Sequence, residues 1–202
     1  MSGHSAGVRG TRYVILFCMT LFRGVLWSVI IIGLTAGVLA LLGRVWVSTT
    51  GQLLWWVSDI GSPEASQQIS DWYSASHFIH GLIFFGFFWI FKRYLSLGTR
   101  LLLSTIIEAG WEILENSSFI IDKYREGTIA IGYMGDSILN SVCDIGFMVA
   151  GFFFARFVPW WVSLLFILVL EIGVAYMIRD NLFLNVLMLV YPVDAVRAWQ
   201  GG

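Results

Sequence analysis

Two histidines, three glutamates and two aspartates stand in this chain beside or inside stretches that are otherwise apolar. Asp71, Trp72, Tyr73, Ser74, Ala75, Ser76, His77, Phe78, Ile79, His80 and Gly81 lead into the first of these stretches. In a helix, His77 and His80 share one face within one turn. Glu108, Glu112 and Glu115, followed by Asn116, form an acidic stripe about 10 Å long at ~1.5 Å rise per residue. Asp136, Asn140 and Asp144 recur every four residues and make another stripe. Imidazoles and carboxylates together are the ligand set of a zinc or transition-metal site with open positions. Such an ion can make a nucleophile of water and polarise a phosphoryl or carbonyl oxygen. The same groups without a metal can serve as general acid and base, or line a proton or cation path.

The elements that must position these groups are membrane helices. Of the 202 residues, 58% are apolar and 12% charged, with a mean hydropathy of +0.80, whereas a soluble domain is roughly 25% charged. That excludes a soluble enzyme, a disordered chain and a nucleic-acid binder with a basic face. A spanning helix needs about 20 mostly apolar residues. Five such spans are expected, over residues 24–42, 74–91, 99–121, 136–158 and 160–178. Residues 181–191 are too short to span and read as an interfacial or re-entrant helix. The fold class is therefore an all-α polytopic membrane bundle, a single integral domain over residues 1–202. Residues 13–22 extend the first helix or lie along the surface, and no cleavage pattern follows it. Gly33 and Gly37 have the spacing of a helix-packing motif. Phe84, Phe85, Phe87 and Phe88 read as lipid-facing or core bulk. Cys18 and Cys143 fall in different apolar segments and define neither a disulfide framework nor a CxxC site.

The positive-inside rule orients the bundle. With the N-terminus in the cytoplasm, Arg9, Arg12, Arg23, Lys92, Arg93, Arg100 and Arg156 fall inside, and Arg44, Lys123, Arg125, Arg179 and Arg197 outside. That orientation brings all three polar stripes into the outer half of the membrane, joined by Arg179 and Asp180 at the end of the fifth span. Taken singly, each stripe has a structural explanation, because Asn and Ser on membrane helices bond helix to helix. Their convergence at one depth points to a cavity. Gly3 to Gly7 spell GxSxG, but in an all-α chain they lack the strand-to-helix turn a nucleophile elbow needs, and no HExxH pair or Walker loop is present, which leaves an acyl-enzyme hydrolase and an ATP-driven pump without support.

From about residue 68 onward the chain resembles a family of short bacterial inner-membrane proteins of unknown function. The resemblance rests on the segment from Ser70 to Gly81, on Glu108 to Ser117, on Gly135 to Asp144, and on Ile178 to Met188. A fainter similarity, in the spacing of an entry His, a mid-span Glu and a final Asp/Asn helix, links it to VanZ-like membrane proteins, a family associated with resistance to glycopeptide-type antibiotics. The resemblance implies a bacterial inner membrane and a shared polar site, and names no substrate.

The function expected from these residues is a membrane-embedded hydrolase or group transferase acting on a lipid or lipid-linked envelope substrate from the outer leaflet. His77, His80, Glu112 and Asp144 would bind a divalent metal or form the acid/base set. Glu108, Glu115, Asn116, Asp136 and Asn140 would orient them or touch substrate, and Arg179 would neutralise an anionic headgroup. The partners are then membrane lipids, with no nucleic acid. The rival reading is a non-catalytic accessory or assembly subunit, its stripes holding helices and other membrane subunits together. A small transporter is a third, weakened because only Glu171 continues the polar path inward.

Overall fold

The computed structural model describes residues 4–127 and 132–201, with side chains from Met19 onward. Arg9, Arg12 and Cys18 lie outside the described side chains. Eight helices and no strand occur among the described residues: α1 His4–Leu41, α2 Ser74–Trp89, α3 Leu97–Glu115, α4 Ser118–Gly127, α5 Ile138–Phe157, α6 Trp160–Ile178, α7 Leu182–Val190 and α8 Asp194–Gln200. Three stretches are long and apolar enough to cross a bilayer on that basis alone, Met19–Leu41, Ile138–Phe157 and Trp160–Ile178. The 16 residues of α2 make a rod about 24 Å long. Helix α3 has 19 residues but carries Arg100, Glu108, Glu112 and Glu115. Three of those four are buried, so its charge is turned into the protein.

Two close helix pairs build the frame. In α2 and α5, Gly81 faces Gly151: a Cβ on Gly81 would run into the Met148 carbonyl oxygen, and one on Gly151 into that of Phe78. Small residues let membrane helices approach this closely where no hydrophobic force drives them together. Helices α1 and α3 meet in the same way at Gly24 and Gly98. The spacing of Gly33 and Gly37 suggests packing, yet a Cβ at either would meet nothing within 4 Å. Below the polar layer, Leu82 and Phe85 of α2, Leu97 and Leu101 of α3, and Phe152 and Ala155 of α5 form one apolar core. Helix α6 buries only Val174 and Ile178, and leaves Ile172 and Tyr176 largely exposed.

Several boundaries differ from the sequence expectation, each for a local reason. The third span does not run to residue 121. Asn116 turns its side chain back to the Glu112 carbonyl at 3.0 Å, and the Ser117 hydroxyl accepts from the Ile120 amide to start α4. The fourth helix begins at Ile138, with Ser137 as its N-cap accepting from the Asn140 amide at 3.1 Å. Asp136 is therefore not helical and is no rung of a helical stripe. Residues 13–22 continue α1 without a break. The C-terminal segment forms α7, and α8 follows it, a helix that hydropathy does not reveal.

Glu171 explains how α7 returns along the bundle. Its carboxylate accepts from the Leu182 and Phe183 amides, both at 3.1 Å. It therefore caps α7 from about 10 Å below the end of α6, at ~1.5 Å per residue. That gives Glu171 a structural partner rather than a place on an inward path.

Candidate functional site

The N-terminus of α2, the C-terminus of α3, the approach to α5 and the start of α7 meet at one end of the bundle. Gly135 makes the approach to α5 possible. Its φ of +87° is the left-handed conformation glycine tolerates, and a Cβ there would run into Arg44 and crowd Asn116 Oδ1. Asn116 and Asp136 then clamp α3 to this turn reciprocally. Asn116 Nδ2 donates to Asp136 Oδ2 at 2.9 Å, and the Asp136 amide donates to Asn116 Oδ1 at 2.7 Å. Asn140 Nδ2 donates to the Gln68 carbonyl at 3.0 Å and fastens the loop before α2 to α5. Asp71, in that loop, accepts from the Ser66 and Tyr73 amides, each at 2.8 Å.

Glu108 is the centre of the polar cluster. It is fully buried, and its Oε1 lies 2.6 Å from His77 Nδ1. His80 Nδ1 lies 3.0 Å from both Glu108 oxygens. With Glu108 ionised, Nδ1 of each ring donates to it, which leaves Nε2 of each ring for other partners. His77 Nε2 faces Asp144 Oδ2 at 3.9 Å, and Asp144 Oδ1 accepts from the Ser74 hydroxyl at 2.9 Å. Glu112 is 1% exposed, and neither of its oxygens has a hydrogen-bond partner. Its Oε1 stands 3.3 Å from His77 Nδ1, which is already given to Glu108. A buried carboxylate without donors is costly, so this one is an opening for a cation or a proton.

Single atoms from His77, Glu112 and Asp144 lie within 4.8 Å of one another, as do atoms from His77, His80 and Glu108, and from Glu112, Glu115 and Asp136. Tyrosines complete the rim. Tyr133 donates to Asp136 Oδ1 at 2.9 Å, and Tyr73 donates to Asp180 Oδ2 at 3.2 Å. The Tyr124 hydroxyl is 3.2 Å from Glu115 Oε1 and 2.8 Å from Asn185 Oδ1. Burial raises the Asp136 carboxyl above its ordinary range, while Tyr133 and Asn116 pull it partly back. Burial likewise raises Asp71.

Two adjoining cavities open on this cluster. One is walled by polar residues, among them Tyr124, Tyr133, Asp136, Asn140 and Asp144. The other runs between α2, α3 and α7 past His80 and Glu108, along Phe84, Ile107, Trp111, Leu182 and Val186. Tyr73, His77, Glu115 and Asn185 line both.

Of the residues the sequence singled out, nine come together here: His77, His80, Glu108, Glu112, Glu115, Asn116, Asp136, Asn140 and Asp144. Their ranking changes, because Glu108 holds both imidazoles and His80 pairs with Glu108 rather than standing beside Asp144. Arg179 does not join them. It is exposed in the left-handed residue after α6 and donates to the Trp199 carbonyl at 3.2 Å. Sequence reasoning passed over Tyr124, Tyr133, Trp111 and Asn185. Tyr124 lies in the short helix α4 and Tyr133 in the turn before α5, both outside the expected spans. Asn185 stands in the segment that carries the family resemblance, without a site role assigned to it there.

An all-helical membrane protein with a buried histidine–carboxylate cluster is thus the class the fold and site define. Residues 39–202 match the family model described as protein of unknown function (DUF2585), and the chain belongs to this family. A UPF0314 protein of Rhizobium etli (strain CIAT 652) is 49% identical over 162 residues, covering 80% of this chain and 83% of the relative. A UPF0314 protein of Rhizobium meliloti (strain 1021) is 45% identical over 183 residues, covering 89% and 93%. One from Sphingopyxis alaskensis is 48% identical over 180 residues, covering 89% and 95%. The match to the family extends further toward the N-terminus than the motifs from residue 68 onward. The likeness to VanZ-like proteins is not shown by these matches. No solved structure matches the chain.

Proposed function

We propose that this protein is a multi-pass enzyme of the bacterial inner membrane that hydrolyses, or transfers a group from, a lipid or lipid-linked substrate entering from the outer leaflet. The observation that carries this reading is Glu112, a fully enclosed carboxylate with two unbonded oxygens beside His77 and Asp144. That donor set suits a divalent metal held by His77, Glu112 and Asp144. When bound, the ion would supply Lewis acidity and a water acidic enough to act near neutral pH. Glu108 fixes the tautomer and direction of both imidazoles, as a supporting carboxylate does in histidine metal sites. His80, with Nδ1 committed to Glu108, lines the second cavity.

The paired cavities support an amphiphilic substrate. A polar headgroup suits the tyrosine-rimmed side, and an acyl or prenyl chain suits the groove along Phe84, Ile107, Trp111, Leu182 and Val186. The orientation rests on the basic residues: Arg23, Lys92, Arg93, Arg100 and Arg156, with Arg9 and Arg12 by chain order, fall at the end away from the cavity, seven against the five of Arg44, Lys123, Arg125, Arg179 and Arg197. That end is cytoplasmic by the positive-inside rule, with five crossings and the N-terminus inside. The accessory-subunit reading draws on one observation, the bare outer face of α6 at Val169, Ile172 and Tyr176.

The test incubates purified protein with a total bacterial lipid extract, with added Zn²⁺, Mn²⁺ or Mg²⁺ or with chelator, and follows every lipid species by mass spectrometry. Metal-dependent conversion of one lipid class is the expected result. An unchanged lipid profile under all conditions, together with stoichiometric co-purification of another membrane protein, would replace the enzyme with the accessory subunit.

A further inference from the structure

The basic end of the bundle has no acid to answer it. No Asp or Glu occurs in residues 1–58, 72–107 or 145–170, which supply that end of α1, α2, α3, α5 and α6. Most of its cations reach water, as the interface allows. Arg100 does not. It is 7% exposed, and its Nε and Nη1 are enclosed without a hydrogen-bond partner. It stands four residues into α3, near the positive end of that helix dipole, where a cation is disfavoured.

The surroundings of Arg100 add to this imbalance. Its guanidinium lies over the rings of Phe85 and Trp89, 5.5 and 5.7 Å from their centroids. Lys92 Nζ stands 4.0 Å from the centroid of the same Trp89 ring. Arg156, at the last turn of α5, follows Ala155, which packs in one core cluster with Leu97 and Leu101 on either side of Arg100, and its charge disfavours that of Arg100. The aromatic faces offset part of the cost of enclosing a guanidinium, and they satisfy none of its in-plane donors. A guanidinium with free donors, a second one beside it and a lysine across one indole match the oxygens of a phosphate group.

We infer that Arg100, Arg156 and Lys92 around Trp89 form a phosphate-binding site, and that the phosphodiester of an anionic phospholipid in the adjoining leaflet occupies it. Lys92 and Arg156 are exposed beside the enclosed Arg100 at this end of the bundle, and basic pockets between helices at the cytoplasmic face hold lipid headgroups. It is separate from the histidine–carboxylate cluster, at the other end of α2, α3 and α5, and does not depend on that cluster being catalytic.

Native mass spectrometry of the full chain released from detergent micelles tests this. Dioleoylphosphatidylglycerol, dioleoylphosphatidylcholine and inorganic phosphate are titrated separately against wild type, Arg100→Gln, Arg156→Gln and Arg93→Gln. The expected result is phosphatidylglycerol binding weakened about ten-fold in Arg100→Gln and Arg156→Gln, with Arg93→Gln within about two-fold of wild type. Phosphatidylcholine should bind far more weakly than phosphatidylglycerol. Inorganic phosphate that binds wild type as tightly as the lipid, and displaces it, would overturn the lipid as occupant and leave free phosphate in its place. Undiminished phosphatidylglycerol binding by both Gln variants would overturn the site itself. Should Arg100→Gln fail to accumulate, undiminished binding by Arg156→Gln, a change at an exposed position, overturns the site on its own.

Discussion

Replacing Glu112 by Gln separates a catalytic cluster from a structural one. The substitution keeps the side chain's size and removes its charge. In wild type both carboxylate oxygens are enclosed and unbonded, so the desolvation lost with the charge is several kcal/mol, about the penalty per buried ion. The new amide brings donors and an acceptor that can be left unpaired, at about 1–3 kcal/mol. These terms oppose each other, so the metal-free variant should be as stable as wild type or slightly more so. For a chain of this size, a gain of about 1 kcal/mol appears as about 2–4 °C in Tm. Saturating metal acts in the other direction. A site filled at 100 times its Kd stabilises wild type by about 2.7 kcal/mol, or about 5–11 °C by the same scaling, and Glu112→Gln should lose most of that rise. Turnover of the lipid substrate should fall by about 10²–10⁴. The assay combines thermal unfolding with and without metal, elemental analysis and lipid conversion on one preparation. Metal stoichiometry equal to wild type in Glu112→Gln, or activity lost only in proportion to protein lost from the membrane, would refute the reasoning.

Three further expectations follow from the frame around the site. Gly151→Leu should force α2 and α5 apart at the Phe78 carbonyl and destabilise by about 1–3 kcal/mol or more, whereas Gly33→Ala, with open space around it, should be neutral; membrane accumulation and thermal unfolding in detergent compare the two. Single cysteines replacing Glu126 and Lys92, in a background without Cys18 and Cys143, should react with an impermeant reagent on opposite sides of the membrane, Glu126 from outside; labelling of both from one side would remove the sidedness of the cavity. Glu171→Ala should release the N-terminus of α7, costing about 0.5–2 kcal/mol as loss of a cap does; amide exchange should rise at Leu182 and Phe183 and stay unchanged in α5.

The candidate site is more legible in the sequence than the boundaries of the helices that build it. Charge and imidazole inside apolar stretches are too costly to be incidental, so His77, His80, Glu108, Glu112 and Asp144 stand out by type, and their helical spacing gives them a common face. Helix ends depend instead on side chains bonding their own backbone. Asn116 and Ser117 end one helix and begin another within an apolar run that hydropathy reads as continuous. Asp136 illustrates both lessons: it reaches the site, but from a turn set by Gly135 rather than from a helical stripe. Arg179 shares only its depth with the site, and depth does not give the direction a side chain takes from a left-handed cap. The tyrosine rim has no pattern to reveal it, because Tyr124 and Tyr133 are brought together by the packing of α4 and the approach to α5.

The arrangement of helices gives a reason for the place of the cavity. Glycine contacts lock α2 to α5 and α1 to α3 at backbone distance. Between these two rigid pairs, α2 and α3 face each other without such contacts over their polar ends. Polar side chains of some length fill that gap: Glu108 spans it to both histidines, and Glu112 enters it beside His77 without a hydrogen bond. A site made this way is held by stiff walls and stays open sideways, along α7 and the groove at Trp111. Lateral opening suits a substrate that arrives within the bilayer, since a lipid need not leave the membrane to present its headgroup. A purely structural polar network would favour the opposite design, in which every buried donor and acceptor is satisfied and no cavity adjoins it.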